Sequence, residues 1–187
     1  MLETIRNFDG SLLIKFQHLA VHDSLTPVVK VFTHLGDAGI MWIVIAVLLL
    51  LFKRTRKYGL MMFASLILTY LVNNLLLKDL IGRTRPYEVF DGVQRLIGKQ
   101  HDASFPSGHS ASSFAAAMCI YLNGPKKYGI PALLLALLIA LSRLYVGVHY
   151  PGDVIAGAII GSLMAWLVYK VYDARQEALH PAKHRRK

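Results

Sequence analysis

Five long apolar runs constrain this chain more than any other feature of its sequence. They cover residues 38–52, 58–77, 107–122, 128–141 and 154–169. A backbone inside lipid must satisfy its own hydrogen bonds, and an α-helix of about 20 residues does so across the hydrocarbon layer. The runs therefore predict an all-α integral membrane protein, in which five spans form one helical bundle.

The N-terminal third carries a different pattern. Its apolar residues recur at helical spacing, and charged or polar residues lie between them. The apolar positions are Ile5, Phe8, Leu12, Phe16 and Leu19. This pattern predicts an amphipathic or tilted helix at the membrane interface. Pro27 marks the first turn of a second, short helix over residues 26–34. Counted as one N-terminal amphipathic or tilted helix plus the five spans, the bundle is expected to have about six helices, and the pattern leaves open whether the N-terminal third crosses the membrane.

Charge is distributed unevenly along the chain, whose formal net charge is +10. The basic residues gather at the ends of apolar runs, which is the positive-inside pattern of membrane proteins and argues against a nucleic-acid partner. The segments 53–57, 126–127 and 170–187 hold twice as many Lys and Arg residues as the opposite helix ends, so we expect them to be cytoplasmic. We expect a single domain, residues 1–187. Its N-terminal region covers residues 1–36, its transmembrane core covers residues 37–173, and its basic cytoplasmic tail covers residues 174–187.

Polar residues that are costly near a bilayer interrupt the apolar pattern at the extracytoplasmic helix ends. Arg143, His149 and Asp153 stand close together around a Pro-Gly turn. A carboxylate four residues after a histidine is within reach of one imidazole N–H, and such a contact aims the other ring nitrogen outward. An aimed, neutral imidazole serves as a nucleophile or a base.

Two more cations stand at the end of the second apolar run. Lys78 and Arg85 are seven residues apart, which is two helical turns, and face the same way if the helix continues to Pro86. Together with Arg143 they form a set of three cations. Such a set suits an anion with several oxygens, and a phosphoryl group fits because its transition state spreads charge over three oxygens.

A helix N-terminus adds a further anion-binding feature. Ser107 is expected to cap the helix of the third run, where Gly108 permits close approach and free backbone N–H groups favour an anion. The acidic residues near these stretches stand singly, with no spacing typical of metal ligands. We therefore predict metal-independent chemistry that needs no cofactor. The lone cysteine, Cys119, excludes an intrachain disulfide.

The three polar stretches together resemble the signature of the type 2 phosphatidic acid phosphatase (PAP2) family. That signature is Lys, six residues and Arg-Pro, then Pro-Ser-Gly-His, then Ser-Arg, five residues, His, three residues and Asp. Every part is matched in order between Lys78 and Asp153. The resemblance implies a helical bundle like that of this family and of the related haloperoxidases.

The resemblance also implies a role for each matching residue. His149 would attack phosphorus while Asp153 orients it, and His109 would protonate the leaving oxygen and then activate water. The remaining matches would bind the phosphate oxygens: Lys78, Arg85, Ser107, Gly108 and Arg143.

The activity that the resemblance implies is hydrolysis of a lipid phosphate or pyrophosphate at the extracytoplasmic face of the cell membrane. Phosphatidylglycerol phosphate, phosphatidic acid and undecaprenyl pyrophosphate are the candidate substrates, and the motifs do not select among them. A lipid phosphotransferase and a non-enzymatic anion- or lipid-binding membrane protein are the alternatives. Gly157 and Gly161 suit close helix packing within the bundle or, alternatively, a dimer interface. We expect a monomer or a weak homodimer.

Overall fold

A computed structural model describes residues 2–179, and within that range the chain forms eight α-helices and no strand. The helices are α1 Leu2–Ala20, α2 Thr26–Leu35, α3 Ile40–Leu51, α4 Arg56–Tyr70, α5 Lys78–Ile81, α6 Gly108–Asn123, α7 Lys126–Tyr145 and α8 Pro151–Leu179. A π-helical segment, Leu71–Leu77, joins α4 to α5. The described residues form two more helices than the six expected, because the α4–α5 span and the N-terminal region are each divided into two helices.

The helix α1 confirms the N-terminal amphipathic helix and shows which way it faces. Its apolar residues Phe8 and Leu19 are largely exposed, as expected of a face turned toward lipid. The opposite face, which includes Leu13 and Gln17, is buried against the bundle. Gln17 Nε2 donates hydrogen bonds of 2.9 Å to the carbonyl oxygens of Gln94 and Tyr145. These bonds fix α1 to the loop before α6 and to the end of α7.

Helices α2 and α3 are separated by a sharp break. The chain bends by 44° between the two arms, Thr26–Leu35 and Asp37–Leu51. Within the break Ala38 has a φ of 49° and Gly39 a φ of 67°, both in the left-handed region. Pro27 lies in the first turn of α2, as the sequence predicted. The two arms together are long and apolar enough for one bent membrane span.

Within the described residues, fewer helices than the five expected spans are long and apolar enough by themselves to cross a membrane. In the described range, three helical stretches are long and apolar enough to cross a membrane: Arg56–Glu88, Lys126–Tyr145 and Pro151–Leu179. The bent pair would be a fourth. Helix α6 has only 16 residues and is shorter than these spans. It lies at the centre of the bundle against α4, α7 and α8, where it is shielded from lipid.

Small residues allow α8 to pack tightly on α6. A Cβ atom at Gly157 would overlap the carbonyl oxygen of Ser107, and one at Gly161 would overlap that of Ala111. Both glycines are buried within the bundle. The Gly-xxx-Gly pair therefore serves helix packing within the chain, the first of its two expected roles.

The helix that carries Lys78 ends earlier than the sequence suggested. It stops at Ile81, where Gly82 adopts a left-handed conformation with a φ of 57°, and Arg85 is extended. The prediction that Lys78 and Arg85 lie on one helix face is therefore wrong, because Gly82 rather than Pro86 ends the helix.

At the other end of the chain, α8 continues to Leu179, into the predicted tail, and residues 180–187 lie outside the described range.

Candidate active site

A cavity of about 510 Å³ opens at the end of the bundle where the three motif stretches meet. Six of the eight predicted site residues line it: Lys78, Arg85, Gly108, His109, Arg143 and His149. They come from α5, the loop after α5, α6, α7 and the loop before α8. The structure thus gathers groups that are up to 71 positions apart in the sequence, as between Lys78 and His149.

His149 lies in the loop between α7 and α8 with only 2% of its side chain exposed. Its Nε2 atom is 3.3 Å from Nη1 of Arg85. Its Nδ1 atom is 3.5 Å from Oδ2 of Asp153 and has no aligned hydrogen-bond partner among the described residues. Burial lowers the pKa of His149 from 6.5 to about 3, although Asp153 acts in the opposite direction. The imidazole is therefore neutral at pH 7, the form in which it has a free electron pair.

Asp153 is fully buried and is held by three donors other than His149. Its Oδ1 accepts a 2.6 Å hydrogen bond from Nη1 of Arg83. Its Oδ2 accepts hydrogen bonds from the hydroxyl of Ser104, at 2.5 Å, and from the backbone N–H of Tyr150, at 3.0 Å. The carboxylate is fixed in place beside the histidine, and a small movement of the imidazole would bring the pair into hydrogen-bond alignment.

Arg83 ties this carboxylate to the N-terminal helix. Its Nη2 donates to Oδ2 of Asp9 at 2.8 Å, and its guanidinium lies 3.8 Å from the centre of the Tyr150 ring. Asp9 in turn accepts a 2.9 Å bond from the backbone N–H of Gly152. The sequence offered one signal for Arg83, its position inside the first motif, but none for Asp9.

Lys78 and Arg85 share one carboxylate, that of Asp102, which the sequence analysis did not single out. Lys78 Nζ bonds Oδ2 of Asp102, and Arg85 Nη2 donates to Oδ1 at 2.5 Å. Burial raises the pKa of Asp102, but the two cations outweigh that effect and hold it at about 2. An ionised carboxylate therefore bridges two of the cations expected to bind phosphate.

Arg143 reaches the cavity from the end of α7 with 1% of its surface exposed. Its Nη1 donates a 2.6 Å hydrogen bond to the hydroxyl of Thr33. Its Nε is buried and has no hydrogen-bond partner among the described residues. A buried, unpaired guanidinium N–H is unfavourable, and an anion in the cavity would relieve it.

The start of α6 supplies the remaining predicted residues. Ser107 caps the helix, as predicted, because its hydroxyl accepts from the backbone N–H of Ser110. Ser107 is fully buried and does not line the cavity. Gly108 does line it, and a Cβ atom there would be 4.0 Å from Lys78 Nζ. His109, the next residue, has its Nε2 atom 2.9 Å from Oδ1 of Asp37, in the break between α2 and α3.

The other half of the cavity is apolar. Its walls come from α3 and α4 and include Ile43, Phe63, Leu66, Ile67 and Tyr70. Several of these side chains are solvent-accessible, Ile67 and Tyr70 to about half. The site thus combines a cationic end with an apolar wall. No group of three or more His, Cys, Asp or Glu side chains is arranged for metal binding within residues 2–179.

Comparison with known proteins agrees with this architecture. Residues 58–177 match the model of the PAP2 superfamily. An undecaprenyl-diphosphatase of Sulfolobus acidocaldarius is 33% identical over 159 residues, which cover 85% of this chain and 75% of the relative. A lipid A 4'-phosphatase of Bacteroides thetaiotaomicron is 31% identical over 182 residues, which cover 90% of this chain and 79% of the relative.

Two solved structures share the fold. One is a transmembrane PAP2-type phosphatidylglycerolphosphate phosphatase from Bacillus subtilis, with a TM-score of 0.73 and 29% identity, over 92% of this chain and 87% of that one. The other is Aquifex aeolicus LpxE, with a TM-score of 0.74 and 25% identity, over 86% of this chain and 93% of that one. The all-α membrane bundle predicted from the sequence is confirmed.

Proposed function

This chain belongs to the PAP2 superfamily, and we propose that it removes phosphate from a membrane lipid through a phosphohistidine formed on His149. It is a multi-pass membrane protein and a hydrolase of lipid phosphates or diphosphates, in agreement with its curated relatives. The observation that carries the proposal is the position of His149 Nε2, at the cationic end of a cavity whose other wall is apolar.

The first step transfers the phosphoryl group to the enzyme. The electron pair of His149 Nε2 forms an N–P bond, and the bond from phosphorus to the leaving oxygen breaks. His109 gives its proton to that oxygen, while Lys78, Arg85, Arg143 and the start of α6 stabilise the charge on the phosphoryl oxygens. Asp153 stabilises the imidazolium that His149 becomes.

The second step returns the enzyme to its starting state. A water molecule attacks phosphorus, and His109 accepts the proton that this water releases. The N–P bond breaks, and its electron pair returns to His149 Nε2. The products are inorganic phosphate and the lipid alcohol, or the lipid monophosphate when the substrate is a diphosphate. Every step of this scheme uses side chains of this chain.

The apolar wall supports a lipid substrate. Ile43, Phe63 and Ile67 provide a surface for a hydrocarbon chain beside the cationic end. Relatives of this chain are named for undecaprenyl diphosphate and lipid A phosphate, and a structural neighbour for phosphatidylglycerolphosphate. The cations contact only the phosphoryl group in this scheme, so they accept any of these head groups.

Phosphate release from the purified protein tests the proposal. The substrates are phosphatidylglycerol phosphate, phosphatidic acid and undecaprenyl pyrophosphate, each with and without EDTA, and His149→Ala is the control. We expect release that survives EDTA and disappears in the control. A phosphotransferase would instead require an acceptor lipid, and a binding protein would release nothing. Loss in EDTA with recovery in magnesium would contradict the metal-independent mechanism.

We also propose that the active site faces the extracytoplasmic side. The basic segments 53–57 and 126–127 lie at the bundle end opposite the cavity, which supports this orientation. Single cysteines at Asp91 and Lys126, in a Cys119→Ala background, test it in intact cells with a membrane-impermeant thiol reagent. We expect labelling at position 91 only, and labelling at position 126 only would reverse the topology.

A further inference from the structure

We infer that Asp37 is a positioning residue for His109, holding this imidazole in the orientation and charge state that the acid–base step requires. The inference rests on the proposed function, because it assigns Asp37 a role through His109. It concerns the break between α2 and α3, a segment outside the three motif stretches.

The break is shaped around the His109 ring. A Cβ atom at position 36 would lie 2.6 Å from Cδ2 of His109, so only Gly36 allows the backbone to approach the imidazole this closely. Ala38 adopts a φ of 49°, which is unfavourable for a residue with a side chain. Gly36, Ala38 and Gly39 all line the cavity together with His109. An unfavourable backbone conformation inside a functional cavity points to a segment that is shaped for its contacts.

Asp37 connects His109 to the surface. Its Oδ1 is 2.9 Å from Nε2 of His109, and its Oδ2 is 2.9 Å from Nδ1 of His34. His34 is exposed over 63% of its side chain, whereas His109 is exposed over only 15%. The carboxylate thus forms hydrogen bonds to two histidines, one inside the cavity and one in contact with solvent.

The chemistry of the contact assigns the two nitrogens of His109. A carboxylate accepts hydrogen bonds and does not donate them, so Nε2 of His109 carries a proton. The other nitrogen, Nδ1, is then the one that exchanges a proton with the leaving oxygen or with water. The negative charge of Asp37 stabilises the imidazolium, which is the form that protonates the leaving oxygen. This is the arrangement of a carboxylate behind a catalytic histidine, with the ring nitrogens exchanged relative to serine proteases.

The test compares Asp37→Asn with the wild type on two leaving groups. On a lipid phosphate we expect turnover to fall, by less than the roughly 10²–10⁴-fold that a general acid contributes. On p-nitrophenyl phosphate, whose leaving group needs no proton, we expect phosphohistidine formation at the wild-type rate and slow breakdown. Labelled phosphohistidine should therefore accumulate, and its formation also shows that the variant is folded. The matched control is Asp23→Asn, which changes an exposed carboxylate in the turn after α1.

A double variant separates positioning from a structural role. If Asp37 acts through His109, adding Asp37→Asn to His109→Ala should change turnover by less than about twofold. An equal loss in the rate of phosphohistidine formation on both leaving groups, additive losses of turnover in the double variant, or no loss at all would overturn the inference. If His109→Ala itself keeps normal turnover, the acid–base step of the proposed function fails as well. If His109→Ala is impaired and Asp37→Asn is not, only the present inference fails.

Discussion

Nε2 of His149 lies 3.3 Å from Nη1 of Arg85, and both side chains are buried. A cation this close to a neutral imidazole helps to keep it unprotonated, since a second positive charge there would be repelled. In the proposed mechanism, the same guanidinium holds an oxygen of the phosphoryl group that Nε2 attacks. Arg85 would then both keep His149 neutral and help to position the phosphorus beside it.

Arg83 should control the rate of the reaction rather than the affinity for substrate. It contacts Asp153 and Asp9 and does not line the cavity. In Arg83→Lys the positive charge is kept, but a single ammonium group cannot donate to both carboxylates in the geometry of the planar guanidinium. We expect kcat to fall about tenfold or more with little change in KM. The control is Arg54→Lys, at an exposed site, which should change neither value. A raised KM with unchanged kcat would instead make Arg83 a substrate ligand.

Asp102 should compete with phosphate for Lys78 and Arg85. It bridges both cations, and its side chain is 52% exposed, so the bridge is only moderately strong. In Asp102→Asn we expect the competitive inhibition constant of inorganic vanadate to fall about fivefold, equivalent to about 1 kcal/mol. Asp91→Asn, at an exposed position in the same loop, is the control. Weaker inhibition would show that Asp102 organises the two cations rather than competing with the anion.

His149 should stay neutral in acid in the free enzyme. Burial holds its pKa at about 3, below the ordinary 6.5, so the neutral form persists as the pH falls through 6.5 and is lost only near 3. Nitrogen-15 NMR of labelled histidine in the detergent-solubilised protein measures this directly, with His149→Gln to assign the signal. We expect no titration of this histidine between pH 7.5 and 4.5. A midpoint near 6.5 would contradict the buried, neutral nucleophile.

The close packing of α8 on α6 should make Gly161 intolerant of a side chain. A methyl group there would overlap the carbonyl oxygen of Ala111 in the neighbouring helix. At Gly98, in the loop before α6, the same methyl group meets no atom within 4 Å. We expect overpacking in Gly161→Ala to destabilise the protein by about 1–3 kcal/mol and so to lower its melting temperature in detergent, while Gly98→Ala leaves the melting temperature unchanged. Equal melting temperatures would contradict the α6–α8 contact.

The sequence predicted those features that depend on local pattern or on a complete motif. Apolar runs indicated the membrane helices, and the hydroxyl of Ser107 marked the start of α6. The motif spacing identified Lys78 and His149, which share one cavity although the helix between Lys78 and Arg85 ends earlier than expected.

The partners of these residues were not predictable in the same way. Asp37 contacts His109 across 72 positions, and Thr33 contacts Arg143 across 110. Neither residue has a motif around it, and their contacts depend on how α2 packs beside α7 and how the break after α2 packs on α6, which no local pattern specifies. Asp102 stood as a single acid in a long loop, and only the fold shows that it reaches two cations.

The most direct test of the mechanism is rapid-quench labelling with a radiolabelled, activated phosphate monoester. It compares the wild type with His149→Ala and His109→Ala. If His149 is the nucleophile, His149→Ala traps no phosphate on the protein. His109→Ala forms the phosphohistidine but hydrolyses it slowly, so label accumulates above the wild-type level. Labelled protein from His149→Ala, together with none from His109→Ala, would show that the two histidines have the opposite roles.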